Sequence, residues 1–257
     1  MIMKTTYNIL MAGLLSALAF TSCEGFLDKF PETALSPETF YTNEKELTLA
    51  TNGFYAMLHK PDDSFDGALQ DNDLQFHLSL SSIQRGTRQA ETETWSASTW
   101  SDLRSINYYL EHSVKCTNED VRKKYDGIAY FFRAVFYYEK VRKYGDIPFY
   151  DHVISDSDKE SLYRPRDSRG FVMQKVMEDL DRAIDGLPVS WSEGVYRINK
   201  YAAYALKSRI ALFEGTWRKY HDIADESYTK EDGTTITLSS AYFLQLAADA
   251  AKAVMES

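Results

Sequence analysis

Between Asn118 and Tyr144 the chain carries a pattern that limits every other structural choice. Val121, Tyr125, Ile128, Phe132 and Val135 recur at spacings of three and four, the period of an α-helix. Gly145 supplies a C-terminal stop. Within this helix the stretch from Ile128 to Tyr138 is apolar nearly all round. A helix with one apolar stripe can lie on a surface, but one apolar on every side must be enclosed by neighbours. That requires a layered helical array rather than a lone hairpin.

The remaining chain supplies such neighbours. Residues 43 to 58 place Leu47, Ala50, Phe54, Tyr55 and Leu58 on one face, with Pro61 just past the end. A second helix is predicted from Ser98 or Thr99 to Val114, with Leu103, Ile106 and Leu110 inward. Ser168 is the expected N-cap of a helix running to 187, with Val172, Val176, Leu180, Ile184 and Leu187 inward and Pro188 beyond. Asn199 caps the next, where Ala203, Leu206, Ile210, Phe213 and Trp217 repeat while Ala202, Ala205 and Ala211 permit close approach. The last begins at Ser239 or Ser240, carries Phe243, Leu246, Ala247, Ala250 and Val254, and is expected to continue into more chain after Ser257.

A faint repeat organises these helices. Arg133-Ala-Val-Phe-Tyr-Tyr-Glu139 is echoed by Arg209-Ile-Ala-Leu-Phe-Glu-Gly215, and Asp179-Leu-Asp-Arg-Ala-Ile184 by Asp249-Ala-Ala-Lys-Ala-Val254. Two such pairs predict an all-α fold, a tetratricopeptide-like helical array in which each pair buries its face against the next. Polar stretches 146–167 and 218–238 are read as long irregular loops, able to build a site on one side.

The beginning of the chain points to a compartment. Lys4 precedes an apolar run from Ile9 to Phe20 that ends in Thr21-Ser22-Cys23, so residues 1–22 read as a signal peptide. The run is too short to span a bilayer. Small residues before Cys23 favour cleavage and lipidation there; Phe20, three positions upstream, keeps open an ordinary cleavage site with a bystander cysteine. An acylated Cys23 makes the membrane contact a lipid anchor only. Cys116 is then left without a disulfide partner and is expected to fill space between helices.

Charge and composition narrow the ligand. The formal charge of −9 disfavours nucleic acid and other polyphosphates. Aromatic residues make up 14% of the chain, with 18 Tyr and 4 Trp. Amphipathic rings match the flat apolar faces and hydroxyl edges of sugars.

Several stretches together resemble one family. Ser22-Cys23-Glu-Gly-Phe-Leu-Asp28 with Pro31 and Phe40-Tyr41 is similar to the opening of SusD/RagB-type outer-membrane lipoproteins. Arg133-Ala134, Phe136-Tyr137-Tyr138, Val141-Arg142 and Tyr144-Gly145-Asp146-Ile147-Pro148 resemble that family's most recognisable stretch. Asp179 to Ile184 with Leu187-Pro188, and Lys200 through Arg209 to Phe213, resemble its next two helices. The resemblance implies a tetratricopeptide-containing fold over residues 23–257, as the N-terminal part of a longer domain. It also implies nutrient capture, usually of glycans, on the surface of Bacteroidetes-like cells, beside a SusC-like TonB-dependent transporter. The matched residues themselves read as structural.

Catalytic patterns are weak. The five histidines, His59, His77, His112, His152 and His221, never adopt the i, i+4 spacing of a helical zinc pair. There is no phosphate loop and no Gly-x-Ser-x-Gly elbow. The acid pairs Glu91/Glu93 and Asp71/Asp73 lie two apart in polar sequence and read as solvated charge. Asp62, Ser64, Asp66, Gly67, Leu69 and Asp73 occupy positions of a calcium loop, yet Asp stands where a bidentate Glu is usual. Residues 62–73 are therefore read as a plain acidic loop, with calcium the subordinate alternative and no other cofactor expected.

The candidate ligand residues lie between the first two helices: Asp71, Asn72, Asp73, Gln84, Arg85, Arg88, Trp95 and Trp100. Trp faces stack on sugar rings, and Asp, Asn and Arg hold vicinal hydroxyls. Both tryptophans also have a packing interpretation, Trp100 more so because it begins a helix. The resulting expectation is a non-catalytic lipoprotein that binds a glycan for a transporter. A tetratricopeptide-like scaffold for peptides and a lipoprotein glycoside hydrolase stand as rivals.

Overall fold

Asparagine and serine start five helices of this chain, each accepting a hydrogen bond from the backbone N–H three residues on. The computed structural model describes residues 40–58, 80, 82, 84–89, 95 and 97–256. Helix α1 (Glu44–Asn52) begins after Asn43 and runs into a 3-10 turn, Gly53–Met57. A second 3-10 turn, Ala97–Trp100, leads into α2 (Ser101–His112). Asn118 caps α3 (Glu119–Tyr144), which stops at Gly145 with φ +73°. After the short α4 (Lys159–Leu162), Ser168 caps α5 (Arg169–Gly186) and Asn199 caps α6 (Lys200–Tyr220). A hairpin of β1 (Glu226–Thr229) and β2 (Thr235–Leu238) precedes α7 (Ser240–Met255), which Ser239 caps. Each such cap satisfies an otherwise orphaned donor and contributes about 1 kcal/mol.

Helix α3 is the hub, as its all-round apolarity demands. Ile128, Ala129, Phe132, Ala134, Tyr137 and Val141 are fully buried. Helices α1, α2 and α5 pack on α3, α6 packs on α5, and α7 packs on α6. The array is therefore layered and mostly helical, in agreement with the predicted class. Cys116 is buried, consistent with a space-filling role. Among the described residues no helix is long and apolar enough to cross a membrane.

Two local expectations change. The stretch read as loop 218–238 contains the hairpin, in antiparallel register from Glu226 opposite Leu238 to Thr229 opposite Thr235. It is held by burial of Tyr228 and Leu238 and closes through Gly233 at φ +84°. The inward face of α6 is also partly polar. Lys207, Glu214 and Arg218 are buried, whereas Trp217 of the expected apolar stripe is exposed. The reason is charge matching: Glu214 accepts from Arg169 Nε at 2.8 Å and Arg218 Nε at 2.9 Å. Arg218 continues to Glu226 at 2.8 Å and to the Leu238 carbonyl at 2.8 Å, joining α5, α6 and the hairpin. Buried charges persist only when paired and hydrogen-bonded in this way.

Candidate functional site

The C-terminal third of α3 presents Phe136, Lys140 and Tyr144 at spacings of four, hence on one face. The 3-10 turn before α2 sets Trp100 against that face. Its ring lies edge-on to Phe136 at 5.5 Å and to Tyr150 at 6.1 Å between centroids. Trp95 meets Trp100 at 5.1 Å and Tyr144 at 4.8 Å, again edge-on. Trp95 remains 42% exposed. Edge-to-face contacts of this kind hold rings in place while leaving a face for a ligand.

Cations border the rings. Lys140 Nζ lies 5.2 Å from the Phe136 ring centre and 5.6 Å from that of Trp100. Lys143 Nζ is 5.2 Å from the Tyr144 ring, and the Arg166 guanidinium is 5.5 Å from that of Trp95. Burial among these rings, then the nearby Lys143, holds the Lys140 ammonium below the usual lysine range, with Asp102 pulling weakly the other way.

Beside the cluster a cavity of about 360 Å³ opens, lined by Trp100, Arg104, Asn107, Tyr150, His152 and Leu162 among others. Its far wall is the connection after α3, and α2 fixes that wall. Asn107 Nδ2 donates to the carbonyls of Tyr150 and His152, both at 3.0 Å. Arg104 donates to the Ile154 carbonyl at 2.9 Å, and Glu111 accepts from the Val153 N–H at 2.6 Å. Asn107 is itself oriented from the core, because its Oδ1 accepts from Arg133 at 3.2 Å while Arg133 makes two 2.7 Å bonds to Asp179. A chain of hydrogen bonds thus runs from the α3–α5 interface to the cavity wall. A second cavity, of about 320 Å³ between α5, α7 and the hairpin turn, is lined by Glu178, Asp181, Glu231 and Asp232 and has Tyr242 as its single ring.

Of the residues singled out in the sequence, the structure brings Trp95 and Trp100 together. Gln84 is half-buried, and Arg85 and Arg88 are exposed about a turn in which the Thr87 N–H donates to Ser82 at 2.9 Å. Each of those three makes an interaction of its own within the chain. Asp71, Asn72, Asp73, the acidic loop 62–73 and Cys23 lie outside the described residues. Among the described residues no group of three or more His, Cys, Asp or Glu is placed to hold a metal ion. Phe136, Lys140, Tyr144, Tyr150 and Arg166 were not singled out. The i, i+4, i+8 spacing of the first three was visible, but the part of the chain facing them was not.

Comparison with known proteins gives a consistent result. A family model described as starch-binding associating with outer membrane matches residues 25–212. The chain is similar to SusD-like protein P25 of Formosa agariphila, 25% identical over 221 residues that make up 77% of this chain and 41% of that protein. Among solved structures it is similar to a SusD-like protein of Bacteroides fragilis, with 27% identity and a TM-score of 0.59 over 74% of this chain and 39% of that one. It also resembles a SusD-like carbohydrate-binding protein of Bacteroides fragilis, with 16% identity and a TM-score of 0.61 over 85% of this chain and 41% of that one. The chain spans about two fifths of the length of the relatives it matches.

Proposed function

We propose that this chain, which belongs to the SusD-like family, forms part of a non-catalytic protein that binds a glycan at the cell surface through the Trp95–Trp100–Tyr144 cluster. One observation carries the reading: a tryptophan 42% exposed, braced edge-on by two other rings, beside a cavity of about 360 Å³. Braced rings present a rigid apolar face, and the amide and guanidinium groups of the adjacent wall supply polar edges, the combination that sugars require. Asp126, whose carboxyl burial raises to about 6, is not among the residues lining the cavity, so that acid is not positioned as a catalyst there. The carbohydrate-binding relative from Bacteroides fragilis supports the same ligand class. Anchorage through an acylated Cys23 and delivery to a SusC-like TonB-dependent transporter complete the proposal.

The test is native electrophoresis of the chain through gels containing soluble polysaccharides, with Trp95→Ala as the variant. Loss of one stacking ring should weaken binding by about 1 kcal/mol or more, several-fold in affinity, with the helical circular dichroism unchanged. Retardation identical in Trp95→Ala and the parent chain would remove the cluster from the binding site.

A further inference from the structure

We propose that the glycan held at this cluster is anionic, bearing uronate carboxylates or sulfate esters; this rests on the glycan-binding reading above. The argument begins with pairing. The chain has 38 acidic and 29 Lys or Arg residues, so a cation left without a carboxylate runs against the composition. Most cations that lie over rings elsewhere are also paired, among them Arg133 with Asp179, Arg164 with Asp167, Arg169 with Glu214 and Lys124 with Glu44. Arg197 over Trp191 and Lys219 over Tyr220 form no ion pair among the described residues. Lys140 and Arg166 belong to this unpaired minority. Among the described residues neither forms an ion pair or a side-chain hydrogen bond, and their contacts are with Trp95, Trp100, Phe136 and Tyr144.

Two of these unpaired cations therefore border a single ring cluster, the one beside the cavity. Lys140 is the more telling, because it is half-buried and desolvated, with Lys143 rather than a carboxylate as its stronger electrostatic neighbour. A partly buried ammonium with three donors and no acceptor is destabilised, and an anionic oxygen supplied by a ligand removes that deficit. Arg104 places a positive charge on the wall of the adjoining cavity, satisfied by the Ile154 carbonyl but not neutralised. Asp156 is the one acid among the cavity-lining residues. A neutral glycan would use the rings and leave Lys140 and Arg166 as they are; a uronate or sulfate uses both.

The experiment places the chain in native gels containing polygalacturonate for carboxylate, carrageenan for sulfate, and dextran or mixed-linkage β-glucan as neutral controls. Lys140→Met keeps the alkyl packing against the rings and removes the charge, and Arg166→Gln does the same for its stem. Retardation by at least one acidic polysaccharide is expected, reduced on the order of tenfold in the double variant and weakened by salt. Whichever acidic gel retards the chain identifies carboxylate or sulfate. Retention by a neutral polysaccharide alone, lost in Trp95→Ala, overturns the anionic assignment and leaves the glycan reading standing. Equal retention of the double variant and the parent chain in the acidic gels also overturns it. Absence of retardation in every gel overturns both readings.

Discussion

The pairs α3–α5 and α6–α7 share sequence letters but are held together by different physics. In the first, Arg133 is 2% exposed and bonds Asp179 through two nitrogens at 2.7 Å, so an ion pair is sealed between the helices. The echoed residues of the second pair, Arg209 and Asp249, are both exposed, and Asp249 accepts from Gln245 on its own helix at 2.8 Å. Helices α6 and α7 instead approach through small residues. Ser208 Oγ donates to the Ala247 carbonyl at 2.9 Å and Ser240 Oγ to that of Gly215 at 2.8 Å. A repeat in sequence can thus preserve the pairing of helices while its interior chemistry diverges. The ion pair has a further role that packing alone could not fill, since Arg133 also orients Asn107 and through it the cavity wall.

The largest expected effect tests that contrast directly. Arg133→Ala or Asp179→Ala leaves the other charge buried and unpaired, at a cost of roughly 3 to 5 kcal/mol in urea-denaturation free energy. Arg209→Ala and Asp249→Ala are surface changes expected within about 0.5 kcal/mol. Comparable losses at all four positions would show that the repeat conserves chemistry after all. The variant at Arg133 should also speed hydrogen exchange in residues 150–154, whose anchor Asn107 loses its orienting partner.

Close approach distinguishes the pairs next. A Cβ at Gly186 would collide with the Lys123 backbone carbonyl, which cannot move without shifting the first turns of α3. One at Gly215 would meet the Leu244 side chain at 2.7 Å and its backbone nitrogen at 3.0 Å. The branched end of Leu244 can rotate away; a helix carbonyl cannot. Gly186→Ala is therefore expected to cost about 3 kcal/mol and Gly215→Ala about 1 kcal/mol, read from thermal unfolding. The reverse order would place the rigid contact in the second pair.

These contrasts also mark what could be read from sequence. The period of α3, its enclosure and the capping residues Ser168 and Asn199 were legible because they depend on local spacing. The polar face of α6 was not, because Glu214 becomes a core residue only when Arg169 and Arg218 arrive from elsewhere. The hairpin was overlooked for a related reason: Thr235-Ile-Thr-Leu238 alternates and follows Asp232-Gly233, but four residues amid polar sequence are a weak signal until Leu238 finds a core. At the candidate site Trp95 and Trp100 could be picked out as aromatic residues in polar surroundings. Tyr144, Tyr150 and Arg166, dozens of residues further on, meet them only through the folding of α3 and its following connection.

The final prediction concerns a charge that α3 leaves unsatisfied. Asp126 is half-buried near Tyr109, and neither its Oδ1 nor the Tyr109 hydroxyl has a partner at hydrogen-bond geometry. Burial is the dominant influence and raises the carboxyl to about 6, while Ser113 and Tyr109 hydroxyls and Arg122 lower it only in part. The Ser113 hydroxyl also donates to the Leu110 carbonyl at 3.3 Å, so its help to the charge is partial and desolvation prevails. In the unfolded chain an aspartate titrates near about 3.9. The native state therefore holds this proton more tightly than the unfolded state. The associated stability is fully present below about pH 4 and is lost as pH rises through about 6, leaving an ionised, poorly solvated carboxylate above that. Asp126→Asn cannot ionise. It should raise stability by about 2 kcal/mol at pH 8 and leave it nearly unchanged at pH 4, measured as the difference in melting temperature from the parent chain at each pH. Arg209→Ala, on the second pair, should show no such dependence. An equal shift for Asp126→Asn at both pH values would mean that the residue acts through packing, and that the pH sensitivity assigned to α3 lies elsewhere.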